Sequence, residues 1–215
     1  MTAEYELFAI RYASRPAMRH EHFIGGDPHD GPMPMDYFVW VAKNADRAVV
    51  IDIGFTATRF HLQEPEMHYA VGHHMKHRQL ARSFEPDDVC GIVRLNFDGR
   101  VVYHNGPADI LPGISIVPTG GHSVGLQFVK VNTARGVVVL ASDVTHFYEN
   151  FETYRPFTTA FHVGDMLDAF DTLRAHAADP SLIVPGHDPL VMQRYPAPSP
   201  ELQGIVVRLD VPPKG

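Results

Sequence analysis

The alternation of apolar and polar positions divides the chain mostly into strands. "YELFAIRYA" and "YFVWVAK" are rich in aromatic and branched residues, and "AVVIDIG" is a nearly continuous apolar run ending at Gly54; all three predict strands. Between the first two, "HFIGGDPHDGPMPMD" has the glycine and proline density of a long irregular loop. "TRFHLQ" predicts a short strand. From Glu64 to Arg82 the propensity is helical with Pro65 in the first turn, which puts "VGHHMKH" on a helix. "GIVRLNF" and "RVVYHN" read as two strands joined by a hairpin turn at Asp98 and Gly99. "ISIVPT", "LQFVKVNT" and "GVVVLASD" are three further strands. "GDMLDAFDTLRAHAAD" sets Met166, Leu167, Phe170 and Leu173 at helical spacing and is the clearest helix. "SLIVPGHDP" reads as a buried strand ending in a turn, and the proline-rich stretch after Tyr195 is expected to wrap the surface. The pattern is strand-rich α/β, without repeats or linkers, and its 215 residues fit a single domain spanning 1–215.

Composition narrows the function. With 45% hydrophobic and 20% charged residues the chain is an ordinary globular one, and no apolar run approaches the roughly 18 residues of a membrane span. The first residues carry two glutamates where a secretory signal would have a basic start. Cys90 is the single cysteine, so no intramolecular disulfide forms, and a cytoplasmic location is expected. A formal charge of −7 with no basic block gives no footprint for a phosphate backbone, which argues against nucleic acid as a partner; nothing suggests a membrane partner either. Fourteen histidines are an excess, and histidine is the commonest metal ligand. They are densest in "VGHHMKH", where His73 and His77 are four apart and share a helix face. Zinc enzymes that use this spacing set a glutamate beside the first histidine, and here His74 and Met75 follow it.

Three strand ends carry the better pattern. "ISIVPTGGHSVG" runs from a strand into a glycine loop bearing His122, "VVVLASD" ends on Asp143, and "SLIVPGHD" ends on His187. Strand ends in α/β proteins hold side chains rigidly while the loops stay open, so ligand groups gather there. Glycines ahead of His122 and His187 allow a sharp turn and a close approach to an ion. Imidazole with carboxylate suits zinc, and to a lesser degree manganese, iron or cobalt. Taken one at a time, each residue is equally consistent with a local hydrogen bond; their common placement points to one site.

At these residues the chain resembles the metallo-β-lactamase-fold hydrolases, in particular their N-acyl homoserine lactonase branch. "IDIGF" is similar to the Asp-x-Gly strand end, "PTGGHSVG" to the third histidine loop, "LASD" to the bridging aspartate and "VPGHD" to the last histidine; "SDVTHFYENF" resembles the lactonase segment after that aspartate. The likeness runs in order from Tyr37 to His187. It implies an αββα sandwich with a two-zinc site, where His122 binds the first metal, His187 the second, and Asp143 bridges them. It further implies hydrolysis of a lactone or ester by a metal-bound hydroxide, hence quorum quenching as an activity. The lactonase branch has a substrate-assisting tyrosine three residues beyond the bridging aspartate; here that position is His146, with Tyr148 as a second candidate, so Asp143, His146 and Tyr148 are the catalytic candidates. In the same family the segment of "VGHHMKH" borders the substrate entrance, which is where that cluster is expected.

One departure matters as much as the matches. The family's HxHxDH motif, which supplies two ligands to each metal, is absent; "GGDPHDG", with Asp27, His29 and Asp30, imitates it but precedes Asp52. "IDIGF" runs directly into "TATRFHLQ", as an excision of one strand and two helices near Phe55 and Thr56 would leave it. With two metals a hydroxide is available near neutral pH, because the metal lowers the pKa of water from about 15.7 towards about 7. With only His122, Asp143 and His187, one zinc or none is expected, with little hydrolysis. An excision also predicts exposed sheet edges and hence a homo-oligomer or poor solubility. Two alternatives stay open: a degenerate, catalytically impaired member serving as a binding or assembly module, and a hydrolase of the same fold acting on another ester, amide or phosphodiester. Phe147, Tyr148, Phe151, Tyr154 and Phe157 suit an apolar substrate, and core packing accounts for some of them as well.

Overall fold

The computed structural model describes residues 3–52 and 59–214. The Phe55–Thr56 junction and Gly54 lie outside the described residues. Two sheets form the body. The first has the order β11-β1-β2-β3, from β1 (Glu6–Arg15), β2 (Met35–Lys43), β3 (Ala48–Ile51) and β11 (Val206–Arg208). Its pairs are antiparallel, with Trp40 opposite Ala9 on one side and Ile51 on the other. Between the sheets in sequence come β4 (Phe60–Gln63), α1 (Glu64–Ala70), α2 (Arg78–Ala81), α3 (Pro86–Phe97) and β5 (Val101–His104), β4 and β5 forming a separate parallel pair. The second sheet has the order β10-β9-β8-β7-β6. It contains β6 (Ala108–Leu111), β7 (Ile114–Pro118), β8 (Gln127–Thr133), β9 (Gly136–Ser142) and β10 (Ile183–Pro185). After β9 come α4 (Tyr148–Thr153) and α5 (Val163–His176); α6 (Leu190–Arg194) follows β10.

The sheets meet at β1 and β8, where the Tyr5 amide donates to the Asn132 carbonyl at 3.0 Å. One core joins them. Leu7, Ala9 and Trp40 contribute from the first sheet, and Phe128, Val138 and Leu140 from the second, all fully buried. In β9 the run Val138 to Ala141 is buried throughout, because α5 packs against this strand through residues such as Phe170 and Leu173. A strand covered on both faces has to be apolar without alternation, which is the sequence of β9. β10 beside it is parallel to β9 and reached through α5, the connection that parallel neighbours require. Among the described residues no helix is long and apolar enough to cross a membrane.

Several expected elements differ. "GIVRLNF" is the second half of α3, and Asp98 with Gly99 is its end rather than a hairpin turn. Pro86 in the first turn, Asp87 and Asp88 against the positive end of the helix, and Gly99 at φ +69° just past it are all helix boundary signals, and they outweigh the branched residues inside. The strand before α3 therefore returns to a parallel partner, β5. The expected helix from Glu64 to Arg82 is broken at Gly72 into α1, a single 3-10 turn at His73–Lys76, and α2. β6 was not expected, and the stretch after Tyr195 does not only wrap the surface: it comes back as β11 and pairs with β1.

The long loop between β1 and β2 is pinned by charge. Asp27 accepts from the guanidinium groups of Arg19 at 2.8 Å and Arg155 at 3.0 Å, and both arginines also reach Glu149 on α4. Phe23 lies under both guanidinium groups, 3.9 Å from that of Arg155. The His29 amide, and after it Arg19, hold the Asp27 carboxyl down at about 2, from the usual 3.8. A folded-state pKa below the unfolded one stabilises the fold above the unfolded value and loses that contribution as pH falls through the folded value.

Two outcomes follow. The stability difference between the wild type and Asp27→Asn is complete above pH ~4 and fades as pH falls towards 2, as denaturant melts across that range would show. Phe128→Ala, at a site with no solvent exposure, lowers stability by about 3–5 kcal/mol with an unchanged denaturant slope.

Candidate metal centre

Three loops at one end of the second sheet bring four side chains to a point. β9 ends at Ser142, whose backbone is left-handed at φ 48°, and the turn delivers Asp143. His146 follows three residues later. His187 comes from the loop after β10, and His122 from the loop after β7. The β10 loop is zipped onto the β9 loop by two backbone bonds: the Gly186 amide donates to the Thr145 carbonyl at 3.0 Å, and the His187 amide to the His146 carbonyl at 2.9 Å. A β-carbon at Gly186 would lie 2.5 Å from the Ser142 carbonyl oxygen, so only glycine permits this approach. At Gly121, before His122, φ is +96° and a β-carbon would lie 2.9 Å from the Met166 backbone. The glycines that the sequence marked serve the close approach of loops to one another.

The Asp143 carboxylate is the common partner. Its Oδ1 is 2.8 Å from His187 Nε2 and 3.3 Å from His146 Nε2, and its Oδ2 is 3.7 Å from His122 Nε2. The far nitrogens of two of these rings are committed to backbone carbonyls. His187 Nδ1 meets the Asp36 carbonyl at 2.9 Å, and His122 Nδ1 meets that of Thr159 at 2.5 Å. A carbonyl can only accept, so both Nδ1 atoms carry the proton, and in the neutral ring each Nε2 points a lone pair at Asp143. Two acceptors at 2.8 Å need a proton or a cation between them. Carbonyl-anchored histidines around a carboxylate are the arrangement found behind metal-ligating imidazoles. Among the described residues one group of donors is close enough to hold an ion: Asp143, His146 and His187.

The electrostatics agree with a shared positive charge. Burial would raise the Asp143 carboxyl, but the His187 charge and the bonds from His146 and His187 hold it well below the usual range. Burial lowers His187 as well, and Asp143 more than reverses this, so its pKa is raised. His146 goes the other way: burial takes it down to about 3 despite Asp143, so it is neutral. Its ring is stacked on buried Phe157, centroids 3.5 Å apart and planes 11° apart.

Beside this cluster a cleft of about 690 Å³ runs between β3, β4 and the β6–β7 edge. Its walls are apolar, with Val49, Leu62, Ile114 and Leu126 among them, and its polar end holds Asp52, Glu66, His122 and Asp143. Asp52, at the end of β3 and left-handed at φ 66°, accepts from Ser142 Oγ at 3.3 Å. Burial, and then the Asp143 charge, push its carboxyl up to about 6. Glu66 on α1 accepts from the Gly125 amide at 2.7 Å, and burial raises its pKa. Sequence reasoning missed Glu66, which no motif marks, and named Asp52 only as part of a strand end.

Other candidates are placed elsewhere. Tyr148 is a core residue, its ring 3.8 Å from the Arg194 guanidinium, and among the described contacts it makes none with the histidine cluster. Phe147, Phe151 and Phe157 are buried too, and of the aromatic loop residues Tyr154 is the exposed one. His73, His74 and His77 are outside the ion-holding group; His74 packs against Tyr69 and Phe161. Asp27 and Asp30 are engaged by Arg19 and His20.

No protein-family model matches the sequence, and no curated protein does. Solved structures match over nearly the whole chain. A quorum-quenching N-acyl homoserine lactone lactonase superposes with a TM-score of 0.72 at 16% identity, covering 88% of this chain and 95% of its own. A hydrolase of the β-lactamase superfamily gives 0.68 at 11% identity, with all of both chains covered. The chain has the metallo-β-lactamase fold. A probable metal-dependent hydrolase from Staphylococcus aureus shares this metallo-β-lactamase fold at a TM-score of 0.69 and 9% identity, over 100% of this chain and 97% of the other. The fold implied by the strand-end motifs is thereby borne out.

Gly186→Ala tests the packing of the metallo-β-lactamase strand ends. Its β-carbon meets backbone, which cannot turn away, so the His187 loop must shift; stability should fall by about 1–3 kcal/mol, with a matching loss of zinc uptake in calorimetric titration.

Proposed function

We propose that the chain is a metal-dependent hydrolase that opens a lactone or another ester, with His122, Asp143 and His187 among the residues that hold the metal. The observation that carries this reading is the pair of carbonyl-anchored imidazoles, His122 and His187, each aiming its Nε2 at one carboxylate. Zinc suits that donor set, with manganese, iron or cobalt also compatible. A divalent ion bound there would activate water near neutral pH and polarise a carbonyl. The chain's own residues do the rest. Asp143 fixes the donors around one point, and the β9–β10 loop bonds keep them from drifting apart. The cleft running from this point, with apolar side chains along its walls, offers a place for the acyl part of a substrate.

Structurally similar proteins support this choice of substrate class. One is described as a lactonase with N-hexanoyl-L-homoserine, its product, bound at the catalytic metal centre, and another as a dizinc quorum-quenching lactonase. Acyl homoserine lactones are therefore the first substrates to try, and a cytoplasmic setting fits the single cysteine. A second reading, a binding module without catalysis, is favoured by the missing HxHxDH motif.

The two readings separate in one assay. The zinc- or manganese-loaded chain is given N-acyl homoserine lactones of increasing acyl length alongside simple aryl esters. The hydrolase reading expects ring opening that Asp143→Asn reduces to background, with kcat/KM rising as the acyl chain lengthens. Background rates from metal-loaded wild type would overturn the lactone and ester reading and favour the binding module.

A further inference from the structure

We infer that His146 is itself a metal ligand, and that Asp143, His146 and His187 form a mononuclear centre on the Oδ1 side of the shared carboxylate. This inference rests on the metal-binding half of the reading above and revises its ligand set, with His146 in place of His122. It gives His146 a role different from that of a group assisting the substrate.

Geometry is the first support. Donors around a four-coordinate zinc with bonds of 2.0–2.1 Å lie about 3.3 Å apart. Asp143 Oδ1 is 3.3 Å from His146 Nε2 and 2.8 Å from His187 Nε2, and the three donor atoms lie within 4.8 Å of one another. The two rings stand at 88° with centroids 4.8 Å apart, so their nitrogens approach one point from different directions. His122 approaches the other oxygen, Oδ2, at 3.7 Å and falls outside this group.

Rigidity is the second. The His187 amide bonds the His146 carbonyl itself, so the spacing of the two candidate ligands is set by the backbone rather than by side-chain rotamers. The His146 ring is clamped in plane by Phe157, and its side chain is only 10% exposed. Burying an imidazole costs little when it is neutral, and a neutral imidazole is the form that binds metal. Three protein donors with the fourth position free match a catalytic zinc site by count. A chain that lacks the HxHxDH motif thus still has three donors for one ion. The competing role for His146 is a plain hydrogen bond from Nε2 to Asp143, and the two roles differ in what happens to metal affinity when the nitrogen is removed.

The test is zinc binding to the full chain, by titration against a competing chelator and by metal analysis after gel filtration, with apo-protein melting as the control for folding. Wild type should take one zinc per chain. His146→Phe keeps the stack on Phe157 and should weaken binding by about 100-fold or more, a loss at least as large as removing a supporting partner causes. His122→Phe should weaken it less. If His146→Phe fails to fold, X-ray absorption on the zinc-loaded His122→Phe chain counts imidazoles directly: two support the assignment, one overturns it. Wild-type affinity in a folded His146→Phe chain, a greater loss in His122→Phe, or two zinc ions per wild-type chain would each overturn it. Zinc lost in His146→Phe, with no lactone or ester opened by wild type, would leave this assignment standing and remove the hydrolase reading.

Discussion

One carboxylate organises the functional end of the molecule. Asp143 is removed from most of the solvent, and a charge in that position is tolerated only when its partners are held close by the fold. Three imidazoles face it from three loops, two of them oriented by backbone carbonyls of residues far away in sequence, Asp36 and Thr159. Asp36 belongs to β2 and His187 follows β10, so the contact ties the two sheets together at the site. Packing of the sandwich core and alignment of the donors are therefore one problem for this chain. The core residues between β1 and β9 fix the strand ends, and the strand ends fix the nitrogens.

The sequence made much of this legible. Strands with uninterrupted apolar runs, such as β9, declared themselves, and the α5 periodicity did too. His122, Asp143 and His187 could be singled out because strand ends followed by glycine are visible in one dimension. The errors have a common cause. "GIVRLNF" was judged by its branched residues, while the decisive signals lay outside it, at Pro86 and Gly99. β11 is three residues long and owes its existence to β1, a partner some two hundred positions earlier that no local pattern reveals. At the site the same limit applies. Glu66 reaches the cleft because α1 starts where β4 ends, and the proton positions on His122 and His187 depend on carbonyls that any residue could supply.

The first sheet ends at β3, a strand of four residues, and the cleft runs alongside it. Among the described residues β4 and β5 pair only with each other, and side chains link this pair to the second sheet. Gln63 is the clearest link: its amide donates to Gln127 on β8 and to the Gly106 carbonyl, each at 3.0 Å. A buried amide in that position orients β4 against the second sheet by directional bonds, where an apolar contact would allow sliding.

Asp52 and Ser142, on opposite sheets, are both left-handed and hydrogen-bonded to each other across the mouth of the cleft. Neither residue adopts this conformation freely; each costs of the order of 1–3 kcal/mol, which only the assembled sandwich can impose. The turn that aims Asp143 therefore does not exist in a partly folded chain, and the donor atoms come together only when both sheets are complete. An ion that prefers this constellation binds the native state alone, which makes ion concentration a variable in the folding equilibrium. The same chain in chelator and in metal-replete solution would then have two different melting curves and two different lifetimes against proteolysis, a form of regulation that requires no second site.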